Sequence, residues 1–225
     1  MALLAAPTGA HAAAIAVDAT ASGAYNAAGA RVGTTENFLT GQLGQTVRRS
    51  YLAFDLSGVT GTVTAAKLRL FNPEVSQFLH GYVSPQASET LAFYDVTTLA
   101  AAFLDGTAGV AGFADLGTGI LFGTRSVSAA DNGTVIEIDL NAAALAALNA
   151  AAGGDFLLGG ALTSIAGIFD QYVFGFTMVD FVADHTRQLV LEVAPAAVPE
   201  PSALLIAGTG LLLLGLARAR REGRS

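Results

Sequence analysis

The stretch Arg49–Asn72, RSYLAFDLSGVTGTVTAAKLRLFN, holds two runs of alternating polar and apolar residues separated by a turn-forming segment, SGVTGT. In the second run two leucines fall on one side of an extended chain and two basic residues on the other (Leu68 and Leu70; Lys67 and Arg69). A proline follows the stretch and cannot continue a strand ladder. The pattern therefore predicts two strands joined by a turn, the second with Leu68 and Leu70 on one face and Lys67 and Arg69 on the other.

Alternation of the same kind predicts strands along much of the chain. The further predicted strands are Glu89–Val96, Gly119–Val127, Thr134–Leu140, Asp155–Thr163, Gln171–Thr177 and Arg187–Val193. Asp131-Asn132-Gly133 predicts a tight turn between two of them. Strands at this spacing predict a mainly β fold, an antiparallel sandwich of the jelly-roll type.

Helix is expected in two short segments only. Thr97 and Thr98 are candidate caps for a helix running to Leu104. Asn141 is a candidate cap for Ala142–Ala152, a helix that Gly153-Gly154 would end. Because its leucines lie on one side, we expect this second helix to close an open end of the sheet.

The composition excludes several kinds of chemistry. The 225 residues include no cysteine, so disulfides, thiolate metal sites and a cysteine nucleophile are excluded. Residues 1–198 contain 7 basic and 16 acidic side chains, a net charge of −9. We therefore expect no attraction to nucleic acid or to anionic lipid.

The N-terminal residues leave two interpretations open. Ala10-His11-Ala12 matches the small-x-small pattern that precedes a signal-peptidase cleavage site, with Ala10 and Ala12 as the small residues. The apolar stretch before it is short, and no Lys or Arg occurs before Arg31. Residues 1–12 are therefore either a clipped signal peptide or an ordinary disordered terminus. The other end of the chain favours the signal peptide.

The C-terminal segment combines four parts in a fixed order. These are a small-residue linker (194–198), Pro199-Glu200-Pro201, the uncharged run Ser202–Ala217 and an arginine cluster (Arg218, Arg220, Arg221). As a helix, Ala203–Ala217 would be about 22 Å long, short of the roughly 30 Å hydrocarbon core, although flanking arginines can snorkel. Arginines directly after an apolar run stay cytoplasmic, so we expect a single membrane-spanning helix with the body outside.

This order of parts resembles the PEP-CTERM sorting signal of Gram-negative bacteria. Val198-Pro199-Glu200-Pro201-Ser202 matches the opening residues of that signal, and Ala203 onward matches its helix. The resemblance implies a sorting signal over residues 199–225 and processing near the tripeptide by a membrane enzyme, exosortase. An ordinary single-span anchor after a proline-rich linker is the alternative.

A second resemblance concerns the predicted sandwich, residues 13–193. Arg49–Asn72 is similar to the two-strand signature of jelly-roll domains of the DNRLRE and carbohydrate-binding-module type, and Gly33–Gly41 is similar to the strand before it. The resemblance implies a jelly roll. It transfers no metal-binding or sugar-binding residue to this chain.

No catalytic constellation emerges from the sequence. The histidines show no metal-binding spacing (His11, His80 and His185), and neither a nucleophile elbow nor a phosphate-binding loop occurs. Glu137 and Asp139 share one strand face, which is typical of a solvated surface, and Asp180 with Asp184 is the other carboxylate pair. Asp170, Asp180 and Asp184 together are a candidate calcium site, since calcium prefers oxygen ligands. No other cofactor is expected.

Sugar stacking usually needs Trp or Tyr, and the chain has no Trp. Its tyrosines are Tyr25, Tyr51, Tyr82, Tyr94 and Tyr172, and two of them, Tyr51 and Tyr94, are equally suited to the core or to a strand face.

Three functional hypotheses follow. The leading one is a non-catalytic exported protein of the cell surface or extracellular matrix. It would pass through the inner membrane with exosortase as its processing partner and would associate with exopolysaccharide or a biofilm. The alternatives are a carbohydrate-binding module and, with least support, a polysaccharide-active enzyme that uses Asp or Glu pairs.

Overall fold

Antiparallel strands make up most of the protein in the computed structural model, which describes residues 12–32, 38–76, 81–175 and 186–195. The strands are β1 (Ala13–Asn26), β2 (Arg31–Val32), β3 (Thr40–Leu43), β4 (Thr46–Asp55), β5 (Thr62–Asn72), β6 (Glu89–Asp95), β7 (Leu121–Val127), β8 (Thr134–Asp139), β9 (Asp155–Leu162), β10 (Gln171–Val173) and β11 (Arg187–Ala194). The helices are α1 (Ala100–Leu104), α2 (Gly109–Asp115) and α3 (Ala142–Ala150), with a 3₁₀ turn at Ala129–Asp131. The predicted mainly β, antiparallel class is confirmed.

The strands form one sheet that nearly closes on itself. Its order is β7-β6-β9-β4-β1-β11-β5-β8; β2 pairs with β1, and β3 pairs with β4 and β10. The strands of this sheet fall into two sets, β7-β6-β9-β4 and β8-β5-β11, and β1 joins them at one corner. The first half of β1 pairs with β11 and its second half with β4. At the other corner β7 and β8 approach each other, and Arg125 Nη1 on β7 donates to the Glu137 carbonyl on β8 at 2.9 Å.

The main core lies between these two strand sets. Leu68 and Leu70 of β5 are fully buried, and they pack with residues of β4 and β9 such as Phe54 and Leu158. Lys67 and Arg69 point outward, where both contact Glu137. The pattern of Arg49–Asn72 therefore predicted both strands, and the buried face of β5, correctly. In β4, by contrast, consecutive residues Ser50–Phe54 are all buried.

Helix α3 closes one end of the core, as predicted. Asn141 Oδ1 accepts from the Ala144 N–H at 3.1 Å, and Leu148 is fully buried. At the other end of the helix, the Asn149 side chain accepts from the Val63 N–H at 2.8 Å and donates to the Val63 carbonyl at 2.9 Å. This amide completes the backbone pairing at the start of β5 and ties α3 to the sheet.

The first predicted helix begins later than expected. Helix α1 starts at Ala100, and its cap residue, Leu99, makes no side-chain capping bond. The N–H groups of Thr97 and Thr98 instead donate to the Asp115 carboxylate at 2.9 and 2.7 Å. The threonines were therefore wrong as caps, because a carboxylate at the end of α2 holds this loop.

Two further differences concern strand limits. Within the expected strand Gln171–Thr177, β10 ends at Val173, where Phe174 adopts a left-handed φ of 60°, and residues 176–177 lie outside the described residues. Strand β1 was not predicted, because its alanine-rich sequence has too little polar contrast. The expected membrane helix lies outside the described residues, within which no helix is long and apolar enough to cross a bilayer.

Candidate functional site

Most of the sequence-predicted site residues fall outside the described part of the chain. This holds for the tripeptide Pro199-Glu200-Pro201, for the arginine cluster and for Ala10 of the predicted cleavage site. Ala12 is exposed and directly precedes β1. The three histidines also lie outside the described residues.

The structure tests the predicted calcium site at one residue only. Asp170 lies in the loop before β10, where its Oδ1 accepts from the Gly44 N–H at 2.8 Å. Asp180 and Asp184 lie outside the described ranges, so the site stays a prediction. Among the described residues, no three acidic or histidine side chains gather in a metal-binding group.

Four of the five tyrosines offer no stacking surface. Tyr25, Tyr51, Tyr82 and Tyr172 are at most 5% exposed. Burial raises the pKa of Tyr51, Tyr82 and Tyr172. Tyr94 alone is half-buried. A sugar platform made of these tyrosines is therefore not available in the described structure.

The segment between β6 and β7, which carries α1 and α2, covers the outer face of one strand set. Beneath it lies a second core made of Tyr25, Tyr51, Phe103 and Leu116. Tyr25 Oη donates to the Phe103 carbonyl at 3.0 Å, and the rings of Tyr51 and Phe103 stack with centroids 5.3 Å apart. This face of the sheet is therefore filled by the protein itself.

Two arginines hold the same segment by its helix ends. Arg31 Nη1 donates to the Leu104 carbonyl at 2.7 Å, at the last residue of α1. Arg49 Nη1 donates to the carbonyls of Phe113 and Ala114 at 3.0 and 2.9 Å, and its guanidinium lies 4.5 Å from the Phe113 ring centroid. Cations are favourable at helix C-termini, so these arginines stabilise α1 and α2. Both guanidinium groups are therefore already paired with backbone carbonyl groups of this segment.

A cleft of about 500 Å³ remains open between the start of α1 and the second half of α3. Asp95, Leu99 and Asp155 lie along it, with Ala147 and Ala150 of α3 on one side. Asp95 Oδ1 accepts from the Ile120 N–H, whereas Asp155 is exposed. The sequence analysis missed this site, because the residues that line it come from three separate segments. The cleft could hold a small ligand with both polar and apolar groups.

The outer face of β5 and β8 carries a charged cluster. Lys67 Nζ lies 2.8 Å from Glu137 Oε2 and 3.7 Å from Asp139 Oδ1, and Arg69 Nε lies 3.1 Å from Glu137 Oε1. The hydrogen bond from Lys67 is the main reason that the pKa of Glu137 is lowered, and Glu137 in turn raises the pKa of Lys67. A carboxylate held ionised in this way is unsuited to general acid catalysis. Glu137 and Asp139 do share one face, as predicted.

Comparison with known protein families gives one match. Residues 197–221 match the PEP-CTERM protein-sorting motif, and these residues include the tripeptide and the arginines up to Arg221. No curated protein matches the chain. The motif supports an exported protein that is sorted through exosortase.

Proposed function

We propose that this protein is a non-catalytic component of the bacterial cell surface or extracellular matrix, associated there with exopolysaccharide. Its tail holds it at the inner membrane until exosortase processes it near Pro199-Glu200-Pro201. The observation that carries this proposal is the match of residues 197–221 to the PEP-CTERM protein-sorting motif.

In this proposal the folded body is a jelly roll whose surface carries no catalytic site. Two strand orders support the jelly roll: β8-β5-β11-β1 in one set and β7-β6-β9-β4 in the other. Several connections along the chain pass from one set to the other, as jelly-roll connections do. A non-catalytic role is supported by the ion pairs of Glu137 and by the filled outer face under α1 and α2.

Carbohydrate binding is the second candidate function, and the cleft beside α3 supports it. The Asp95 and Asp155 carboxylates could accept from sugar hydroxyls, while Leu99 and Ala147 supply apolar contact. Binding on a glycan array that Asp155→Asn abolishes, with no release of reducing sugar, would establish this function. Sugar release that a single Asp→Asn change abolishes would instead establish an enzyme.

The test of the sorting proposal is processing in cells. A chain that carries an epitope in the folded body is expected to lose its C-terminal fragment only in a host that contains exosortase. Glu200→Ala should leave full-length protein in the inner membrane, whereas Glu222→Ala, which lies after the matched residues, should be processed normally. Mass spectrometry of the released protein gives the readout. An intact C-terminus on protein from an exosortase-positive host would contradict the proposal.

A further inference from the structure

The cleft between α1 and α3 combines apolar walls with negative charge. Ala147 and Ala150 of α3 lie on one side, and Leu99, which also lines the cleft, is 78% exposed. Among the described residues that line it, the only charged ones are Asp95 and Asp155. The cleft therefore offers a ligand apolar contact and two carboxylates, with no basic side chain in its lining.

One of these carboxylates lies opposite another acidic residue. Asp155, at the start of β9, is paired directly with Asp55 at the end of β4. Directly opposed side chains have Cβ atoms about 4.5–5.5 Å apart, and like charges at such positions destabilise the strand pair. The Ser57 N–H donates to Asp55 at 2.8 Å, and this hydrogen bond lowers the pKa of the Asp55 carboxyl and keeps it ionised. No ion pair of the described residues includes either aspartate.

Negative charge held in this way is suited to an organic cation. Proteins often keep a destabilising arrangement where a site uses it. A metal ion needs several oxygen ligands that converge, and among the described residues no three acidic or histidine side chains gather in a metal-binding group. An ammonium group, by contrast, needs only one or two carboxylates, and the remainder of its ligand can lie on the apolar walls.

We propose that the cleft binds an amino sugar unit of a polysaccharide, with the free ammonium group at Asp155 and the sugar ring against Ala147 and Ala150. The inference rests on carbohydrate binding, the second candidate function, and narrows the ligand to a hexosamine whose nitrogen is not acetylated. The cleft volume of about 500 Å³ lies within the range of about 300–1,000 Å³ that is usual for ligand sites, so a short segment of a chain fits.

The charge of the body favours this class of sugar over the others. Sugars that carry carboxylates would be repelled by two aspartates and by the net charge of −9 over residues 1–198. Neutral sugars can donate to the same aspartates through hydroxyl groups only, and these hydrogen bonds are weaker than those from an ammonium group. The free amine is therefore the group that the cleft distinguishes best.

Calorimetric titration of the full chain in mild detergent tests the proposal. The probes are a trimer of glucosamine and the N-acetylated form of the same trimer, which has the same rings without the positive charge. We expect the free-amine trimer to bind about tenfold more tightly, the usual effect of a hydrogen bond between charged groups. Raising the salt concentration should reduce the difference, because an exposed ion pair is screened.

One pair of variants locates the effect. Asp155→Asn should weaken binding of the free-amine trimer about tenfold, and it should raise the thermal midpoint slightly, because it removes the repulsion from Asp55. A loss of binding without a loss of stability separates a ligand contact from a folding defect. The matched control is Asp139→Asn, which removes the same charge from an exposed strand position outside the cleft and should leave binding unchanged.

Each remaining outcome contradicts a different part of the inference. Equal affinities for the two trimers would overturn the preference for an amine and leave carbohydrate binding in place. No binding of either trimer would overturn both, without bearing on the sorting proposal, whose test measures tail processing. Trilysine that binds as tightly as the glucosamine trimer, or an equal loss for Asp139→Asn and Asp155→Asn, would show that charge alone gives the affinity, and the sugar site would be overturned.

Discussion

Asn72 shows how one buried amide fixes several loops. It is fully buried at the end of β5, where its Oδ1 accepts from the Phe174 N–H at 3.1 Å. Its Nδ2 donates to Asn132 Oδ1 at 2.9 Å, and the same oxygen accepts from the Tyr82 N–H at 2.6 Å. Phe174 lies in the left-handed region that non-glycine residues rarely adopt. The Asn72 amide therefore holds a strained residue and two loops at the end of the core.

Replacing Asn72 with alanine is expected to destabilise the fold markedly. The change leaves the buried Phe174 N–H without its partner, which costs about 1–3 kcal/mol in the free energy of unfolding. Urea denaturation gives the measurement. The control is Asn26→Ala, since Asn26 Oδ1 accepts from the Ala28 and Ala30 N–H groups at an exposed turn, where water replaces it. If both variants lose the same free energy of unfolding, the burial of the Asn72 hydrogen bonds adds nothing to the stability.

At the scale of the element, the sequence predicted those strands whose two faces differ in polarity. Strands β5 and β8 alternate apolar with charged or polar residues, and both were found at nearly their predicted limits. Strand β1 has Ala, Ile and Val inside and mostly Ala outside, so its alternation carries almost no polar contrast. Helix α2 was missed because its stabilising contacts come from Arg49, which is far away in sequence.

Helix α3 was predicted from its cap, and the cap can be tested directly. Asn141→Ala removes the acceptor of the Ala144 N–H and the donor to the Leu121 carbonyl. We expect a loss of about 0.5–2 kcal/mol in the free energy of unfolding. Asn141→Asp keeps an acceptor for the cap and loses the donor, so it should recover part of the stability. Identical losses in thermal melts of both variants would assign the effect to the contact with Leu121 instead.

At the scale of the molecule, the sequence predicted the sorting signal better than the residues that line a binding surface. The sorting motif is a contiguous segment whose composition and order carry its information, and residues 197–221 match it. The cleft beside α3 is assembled from three separate segments, so no local pattern could reveal that Asp95 and Asp155 lie along one opening. The burial of Tyr25 and Tyr51 under α1 and α2 likewise depends on how distant segments pack.

The last prediction concerns which residues the body needs after processing. Strand β11 lies between β1 and β5 and buries Leu189, Leu191 and Val193. Three such side chains contribute roughly 5–9 kcal/mol, comparable to the whole stability of a domain. A chain ending at residue 186 is therefore expected not to fold, whereas a chain ending at Val198 keeps the whole sheet.

Thermal unfolding in one detergent should give the residue-198 chain and the full chain the same midpoint. Leu191→Ala in the full chain is the matched control, and it should lose about 2–5 kcal/mol through the cavity that it leaves. A clearly lower midpoint for the residue-198 chain would show that the tail supports the body. Release by cleavage near the tripeptide would then destabilise the protein that it delivers.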